Sequence, residues 1–256
     1  MTKKKIGFAL SGGGARGIGH IGMIKALEQF DIIPQVLSGT SAGSIVSSLY
    51  SYGYSTGEML KIIKSIKVFS SLKPSLSFRG LMHIESLGKI LREYMPEDSF
   101  DLLKIPVTIS ATDLKAGKIV YFKKGNLSQS IMASCCIPVF FNPVEKDGML
   151  LVDGGVLDNL PASVLMKKCD FLIGLHTNPI SADFNVTNFK NLIERSLLMA
   201  INGNTVKSKE FCDAVIEPPE MGQFSGFDIS KAGKMVDVAY DYTSLFLEKN
   251  IQNWEL

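Results

Sequence analysis

Neither positive nor negative charge is in marked excess in this sequence. Its 27 lysines and arginines stand against 25 aspartates and glutamates, a formal net charge of +2, so it carries no electrostatic footprint for nucleic acid. Paired cysteines are missing too. Cys135, Cys136, Cys169 and Cys212 show no Cys-x-x-Cys spacing, and adjacent cysteines make a poor disulfide, so all four read as reduced, mostly buried thiols. No uninterrupted apolar stretch approaches the roughly 20 residues that span a bilayer. Lys3-Lys4-Lys5 leads into the apolar Ile6 to Leu10, but that run stops at Ser11-Gly12-Gly13-Gly14, too soon for a secretory core. These absences predict a soluble, cytoplasmic protein. Repeats, low-complexity tracts and linker-like breaks are lacking as well. One domain over 1–256 is expected, with a motif-bearing part at about 5–180 and a helical part at about 188–256.

What the sequence does hold is centred on Gly39-Thr40-Ser41-Ala42-Gly43. The pentapeptide follows the short apolar run Pro34 to Leu37 and precedes the helix-compatible Ile45 to Tyr52, the strand, turn and helix start of a nucleophile elbow. Such a turn pushes a serine hydroxyl clear of the sheet, and flanking glycines let the backbone pass closely. Ser41 is the candidate nucleophile, with Gly39 and Gly43 supporting it. Upstream, Ile6 to Leu10 reads as a strand buried on both faces, and Ile21, Ile24 and Leu27 repeat at helical spacing before Pro34 opens a second strand. That β-loop-α-β order feeds a parallel sheet through a right-handed crossover.

The connecting loop, Gly12-Gly13-Gly14-Ala15-Arg16-Gly17, satisfies Gly-x-Gly-x-x-Gly, the pattern of a dinucleotide-binding turn. That function also asks for an acidic residue at the end of the second strand, where this chain has Ser38 to Ser41 and where Asp31 comes too early. Bare amides at a helix N-terminus also suit a tetrahedral oxyanion. Gly12, Gly13 and Gly14 are therefore candidate oxyanion donors, and a nucleotide-binding Rossmann-type protein is the alternative.

Downstream, Ser55 to Glu58 forms a capping box ahead of Met59, Ile62, Ile63 and Ile66 at helical spacing. Lys67 to Gly80 is irregular and reads either as a lid bordering the site or as an ordinary linker. A helix is expected over Ile84 to Met95, a hairpin from Val107 to Phe122, and a short helix over Leu127 to Ser134. Met149 to Val152 reads as a strand ending at Asp153-Gly154-Gly155, a carboxylate at the end of a strand where open α/β sheets place their sites. Pro161 to Lys168 predicts a helix and Phe171 to Leu175 a buried strand. Asn188 to Phe211 predicts a long helix that Gly203 bends or breaks, and Ser230 to Lys249 a closing helix. The apolar residues of the long helix, from Phe189 to Ile201, read as core packing, with the wall of an acyl-chain channel as the sharper alternative.

In order along the first two-thirds of the chain stand the glycine loop Gly12 to Gly17, the elbow Gly39 to Gly43 and Ala133-Ser134-Cys135-Cys136-Ile137-Pro138. Asp153-Gly154-Gly155 follows, with Asn159 and Pro161. This set resembles a bacterial patatin-like phospholipase, although Cys136 stands where alanine is common in that family. The resemblance implies an α/β fold, three-layer α/β/α with a central, mostly parallel sheet. It implies a serine lipid acyl hydrolase with Ser41 and Asp153 as catalytic dyad and Gly12 to Gly14 as oxyanion hole, without metal or other cofactor. The partners it implies are a lipid or acyl ester substrate and, transiently, a membrane surface, with no nucleic acid.

An aspartate of ordinary pKa, about 3.9, is a weak base, so Asp153 must be desolvated to serve as one, which apolar Leu150 to Val152 and Gly154-Gly155 allow. The three histidines leave a second arrangement open. Ser41, Asp153 and His176 follow the chain order of an α/β-hydrolase triad, although that fold places several strands before its elbow. Otherwise His176 reads as a rim or packing residue, while His20 lies in the first helix and His83 precedes another. Arg16 either steadies the glycine loop or meets an anionic head group. Gly155 supports the aspartate turn, and Asp158 and Asn159 order that turn rather than touch substrate.

Overall fold

Apolar runs too short for helices become the central strands. In the computed structural model, which describes residues 4–65, 84–181, 184 and 189–254, β1 (Ile6–Leu10), β2 (Val36–Thr40) and β7 (Phe171–Leu175) are buried along their whole length. Strands covered on both faces need no polar alternation. With β3 (Val107–Asp113) and β8 (Ala214–Ile216) they form a parallel array in the order β3-β2-β1-β7-β8. Antiparallel pairing then adds β4 (Lys118–Phe122), β6 (Met149–Asp153) and β5 (Val144–Lys146), completing a mostly parallel sheet of eight strands among the described residues.

The site depends on how neighbours share β3. β4 pairs with it from Ile109 to Asp113 and so takes one flank. On the other flank β2 pairs as far as Thr40 opposite Ser110, and β6 takes over with Asp153 opposite Ala111. β2 and β6 run toward each other along one edge, and their tips meet. The strand carrying Asp153 is thus antiparallel to its neighbour, unlike the strands whose carboxyl ends form the usual α/β site. It reaches the same rim from the opposite direction, because β3 continues past Ser110 to Asp113.

Side chains alternate between faces along a strand. Ile6, Phe8 and Leu10 enter a large apolar core, whereas Ala9, Val36 and Leu172 face a smaller one with Leu160, Ala162 and Leu165. The large core is closed by α1 (Gly19–Gln29), α2 (Ala42–Tyr52), α3 (Thr56–Ser65), α4 (Glu85–Tyr94), α5 (Leu127–Ser134) and α7 (Ala232–Asn250). At the head of α3 the capping box forms, the Ser55 amide donating to Glu58 Oε2 (2.9 Å) and the Glu58 amide to Ser55 Oγ (3.4 Å). Lys67 to Gly80 and His83 lie outside the described residues.

Pro161 to Lys168 forms turns rather than the expected helix. The Ser38 hydroxyl donates to the Pro161 carbonyl (2.7 Å), and the amides of Leu165 and Lys168 bond three residues back instead of four. Leu160 and Ala162 both press on the sheet, and positions two apart do not share a helix face. α6 (Phe189–Lys209) runs through Gly203 unbroken. Core packing was the simpler expectation for its apolar residues, but most of them are only half-buried, and Phe189 and Met199 are 76% and 59% exposed. α6 lies across the turn after β6, where the Asn204 side chain donates to the Gly155 carbonyl (3.0 Å) and accepts from the Asn159 amide (3.0 Å).

Candidate active site

β2 ends at Thr40 and α2 begins at Ala42, so Ser41 alone makes the turn, at φ 51° and ψ −123°. Such a backbone costs a serine on the order of 1–3 kcal/mol and persists only where its surroundings enforce it. Here they do. The Ser41 amide donates to Ser134 Oγ on α5 (2.7 Å), and the Ser41 carbonyl accepts from the Ser44 hydroxyl (2.6 Å) and amide (2.8 Å). A Cβ at Gly43 would lie 2.5 Å from the carbonyls of Leu10 and Ser11, so only glycine lets α2 start against the end of β1. Gly39 lies beneath the Gly43 carbonyl on the other side of the turn.

Asp153 caps the meeting strand tip. Its Oδ1 accepts from the Gly155 amide (2.8 Å), and the Ser41 side chain lies close enough to favour its ionised form. Burial raises the Asp153 pKa to about 6, against the opposing pull of the Gly155 amide and the Ser41 side chain. A desolvated carboxylate of that strength is ionised at neutral pH and accepts a proton far more readily than an exposed aspartate.

The glycine loop bends under the same site. Gly12 is committed to the fold, its amide donating to the Asn159 carbonyl (2.9 Å) and its carbonyl accepting from Asn178 Nδ2 (2.9 Å). The amides of Gly13 and Gly14 have no hydrogen-bond partner among the described residues. Arg16 is buried, with Nε donating to the Phe224 carbonyl (2.6 Å) and Nη2 3.5 Å from Glu194 on α6. These contacts tie the glycine loop to α6 and to the segment around Phe224. Asn159 Nδ2 donates to Thr205 Oγ1 (3.2 Å) on α6 and the residue lines the cavity, while Asp158 is held by Tyr121 (2.7 Å) and Ser208 (3.2 Å).

Ser41, Asp153 and Gly12 to Gly14 open onto one cavity of about 190 Å³. Ile137, Pro138, Val156 and Phe227 form its apolar walls, and Leu197, Leu198 and Ile201 of α6 roof it. α6 thus borders a cavity instead of packing wholly into the core. His176 does not line this cavity. It is buried with Nδ1 2.8 Å from Glu217, which also holds Lys209. Among the described residues no group of three or more His, Cys, Asp or Glu is placed to hold a metal ion, and no helix is long and apolar enough to cross a membrane. Sequence reasoning missed Ser134, Asn178 and Glu194; Ser134 lies within the stretch Ala133 to Pro138, but nothing local marks any of the three.

A family model described as patatin-like phospholipase matches residues 8–166, from β1 through the elbow and the aspartate turn. The chain belongs to the patatin-like phospholipase family. Among its relatives are an uncharacterized NTE family protein of Mycobacterium tuberculosis (strain H37Rv), 36% identical over 182 residues, 69% of this chain and 50% of that one. Another is the patatin-like phospholipase domain-containing protein 6 of Homo sapiens, 27% identical over 282 residues, 94% of this chain and 20% of that one. The chain spans half or less of the length of these relatives. The fold is similar to that of VipD from Legionella pneumophila, with a TM-score of 0.56 at 16% identity over 96% of this chain and 67% of that one. It is also similar to ExoU of Pseudomonas aeruginosa in its complex with SpcU, with a TM-score of 0.53 at 16% identity over 97% of this chain and 53% of that one. In this patatin-like chain the family match ends before α6, so the roof of the cavity lies outside the matched segment.

Proposed function

We propose that the chain hydrolyses acyl esters of phospholipids or related lipids, with Ser41 as nucleophile and Asp153 as its base. The observation that carries this reading is a hydroxyl on a strained elbow, sharing the floor of an apolar cavity with a carboxylate whose pKa burial has raised to about 6. Family membership supports lipid hydrolysis as the class of reaction.

Asp153 takes the proton of Ser41 as Oγ attacks the ester carbonyl carbon. The carbonyl electron pair moves onto oxygen, and the free amides of Gly13 and Gly14 receive that oxyanion; Gly12, already bonded, holds the loop in place. Collapse of the intermediate expels the alcohol, which takes the proton from Asp153, and leaves an acyl group on Ser41. Water then attacks the acyl-serine and gives its proton to Asp153. The second collapse releases the fatty acid and returns the proton to Ser41 Oγ. Val156 at the cavity and Met199 on α6 are exposed, an apolar rim suited to transient contact with a lipid surface.

A fluorophosphonate probe should label the wild type and fail to label Ser41→Ala, and labelling of that variant at the wild-type rate would sink the assignment. His176→Ala separates dyad from triad. With Asp153 as direct base, a folded His176→Ala protein keeps most of its turnover. A loss approaching a thousandfold, the range that removal of a triad member reaches, would make His176 the base instead.

A further inference from the structure

A second cavity of about 300 Å³ adjoins the first and shares Arg16, Glu194 and Leu198 with it. It is polar where the first is apolar, and among the described residues that line it two guanidiniums stand against one carboxylate. Two of these three charges are already occupied. Arg16 donates to the Phe224 carbonyl, and the Glu194 carboxylate accepts from the Gly226 amide (2.7 Å) and the Ser225 hydroxyl (3.3 Å) besides facing Arg16.

Arg195 is different. Its Nη2 donates to the Ser181 carbonyl (2.8 Å), and its guanidinium lies 4.8 Å from the centre of the Phe184 ring. Among the described residues no carboxylate is paired with it. The side chain is half-buried, so it is oriented before any ligand arrives, and among the described residues most of its fork of N–H donors is unspent. A preorganised guanidinium on an aromatic face is suited to bidentate recognition of a phosphate.

We propose that the second cavity holds the phosphate of a glycerophospholipid, with Arg195 as its principal ligand, while an ester of the same molecule lies at Ser41. This rests on the lipid-ester reading above and adds to it the class of head group and the residue that selects it. The wall shared by the two cavities suits the few bonds of glycerol that separate a phosphate from its neighbouring ester.

The test is binding by the Ser41→Ala protein, below micellar concentrations, of dihexanoylphosphatidate, dihexanoylglycerol and inorganic phosphate, measured calorimetrically. Phosphatidate should bind at least about tenfold more tightly than the diacylglycerol, the scale of one charge-assisted contact. Arg195→Gln on the same background should erase that preference and Arg195→Lys keep part of it. Equal affinity for the two lipids overturns the proposal, as does a preference that survives Arg195→Gln. Inorganic phosphate that displaces phosphatidate and binds as tightly would make this a free-phosphate site and overturn the head-group assignment. The comparison of the two lipids needs no change at Arg195, so it stands even if Arg195→Gln does not fold. Binding of neither lipid would overturn the lipid-ester reading as well, whereas equal binding of both overturns this proposal alone.

Discussion

A serine at positive φ and a carboxylate shut away from water both oppose folding, and both stand where the chemistry is proposed. Ser41→Gly removes the backbone strain that Ser41→Ala retains, so the glycine variant should be the more stable by on the order of 1 kcal/mol, with both inactive. Identical melting temperatures for the pair would mean that the elbow stores no strain. For Asp153 the folded pKa, about 6, lies above the ordinary 3.8, so the folded state holds the proton more tightly. Its stabilising contribution is complete below pH 3.8 and is lost as pH rises through 6, a difference of at most on the order of 3 kcal/mol at pH 7. Asp153→Asn should therefore resist urea better than the wild type at pH 7, with the gap closing below pH 4, and lose turnover throughout. In the wild type, kcat/KM should rise as pH passes through about 6 and the base ionises. Ser41 and Asp153 were legible in the sequence because each stands in a short pattern whose glycines reveal a special turn. Ser134, Asn178 and Glu194 were not, because their contacts reach across 93, 166 and 32 residues, and a lone polar residue has no local spacing to betray it.

Among the elements, the central strands and the helices of the large core were readable from periodicity, since burial on both faces or along one stripe leaves a plain mark. The segment after Pro161 was not, because the need to lay Leu160 and Ala162 on the sheet overrides its helical composition. α6 misled in another way. Its apolar residues satisfy a core pattern, yet several of them roof a cavity, and sequence periodicity does not distinguish a packed face from one that borders empty space. If the roof gauges the acyl chain, Ile201→Trp should fill the cavity beside Gly155 and lower the ratio of kcat/KM for a decanoyl ester to that for a butyryl ester about tenfold. An unchanged ratio would mean that the chain lies elsewhere.

For the molecule as a whole, acid acts through two buried groups with opposite signs. His20 has its ring nitrogens 2.9 Å from the Gly17 carbonyl and 3.1 Å from the Leu175 carbonyl, joining the glycine loop to β7. A neutral imidazole can donate to only one of them, and burial lowers its pKa to about 4. The contribution of His20 is therefore complete above pH 6.5 and is lost as pH falls toward 4, while that of Asp153 changes the other way over nearly the same window. Wild-type stability should be nearly level between pH 4 and 6 as far as these two groups set it, and Asp153→Asn should uncover a rise with pH. In NMR titrations His20 should stay neutral down to about pH 5; an imidazole titrating near 6.5 would refute this. The parallel array with its helices followed from the order of sequence elements, but the antiparallel entry of β6 did not, because a strand's direction is fixed by its partner and not by its own residues. That entry makes β3 a ruler. Thr40, the residue before Ser41, and Asp153 stand opposite consecutive residues, Ser110 and Ala111, so the ends of β2 and β6 are indexed one step apart, about 3.3 Å along a single strand. The hairpin loops beyond can lengthen or shorten without re-aiming the pair, whereas one residue inserted within β6 would turn the carboxylate to the opposite face of the sheet and disarm the site at a stroke.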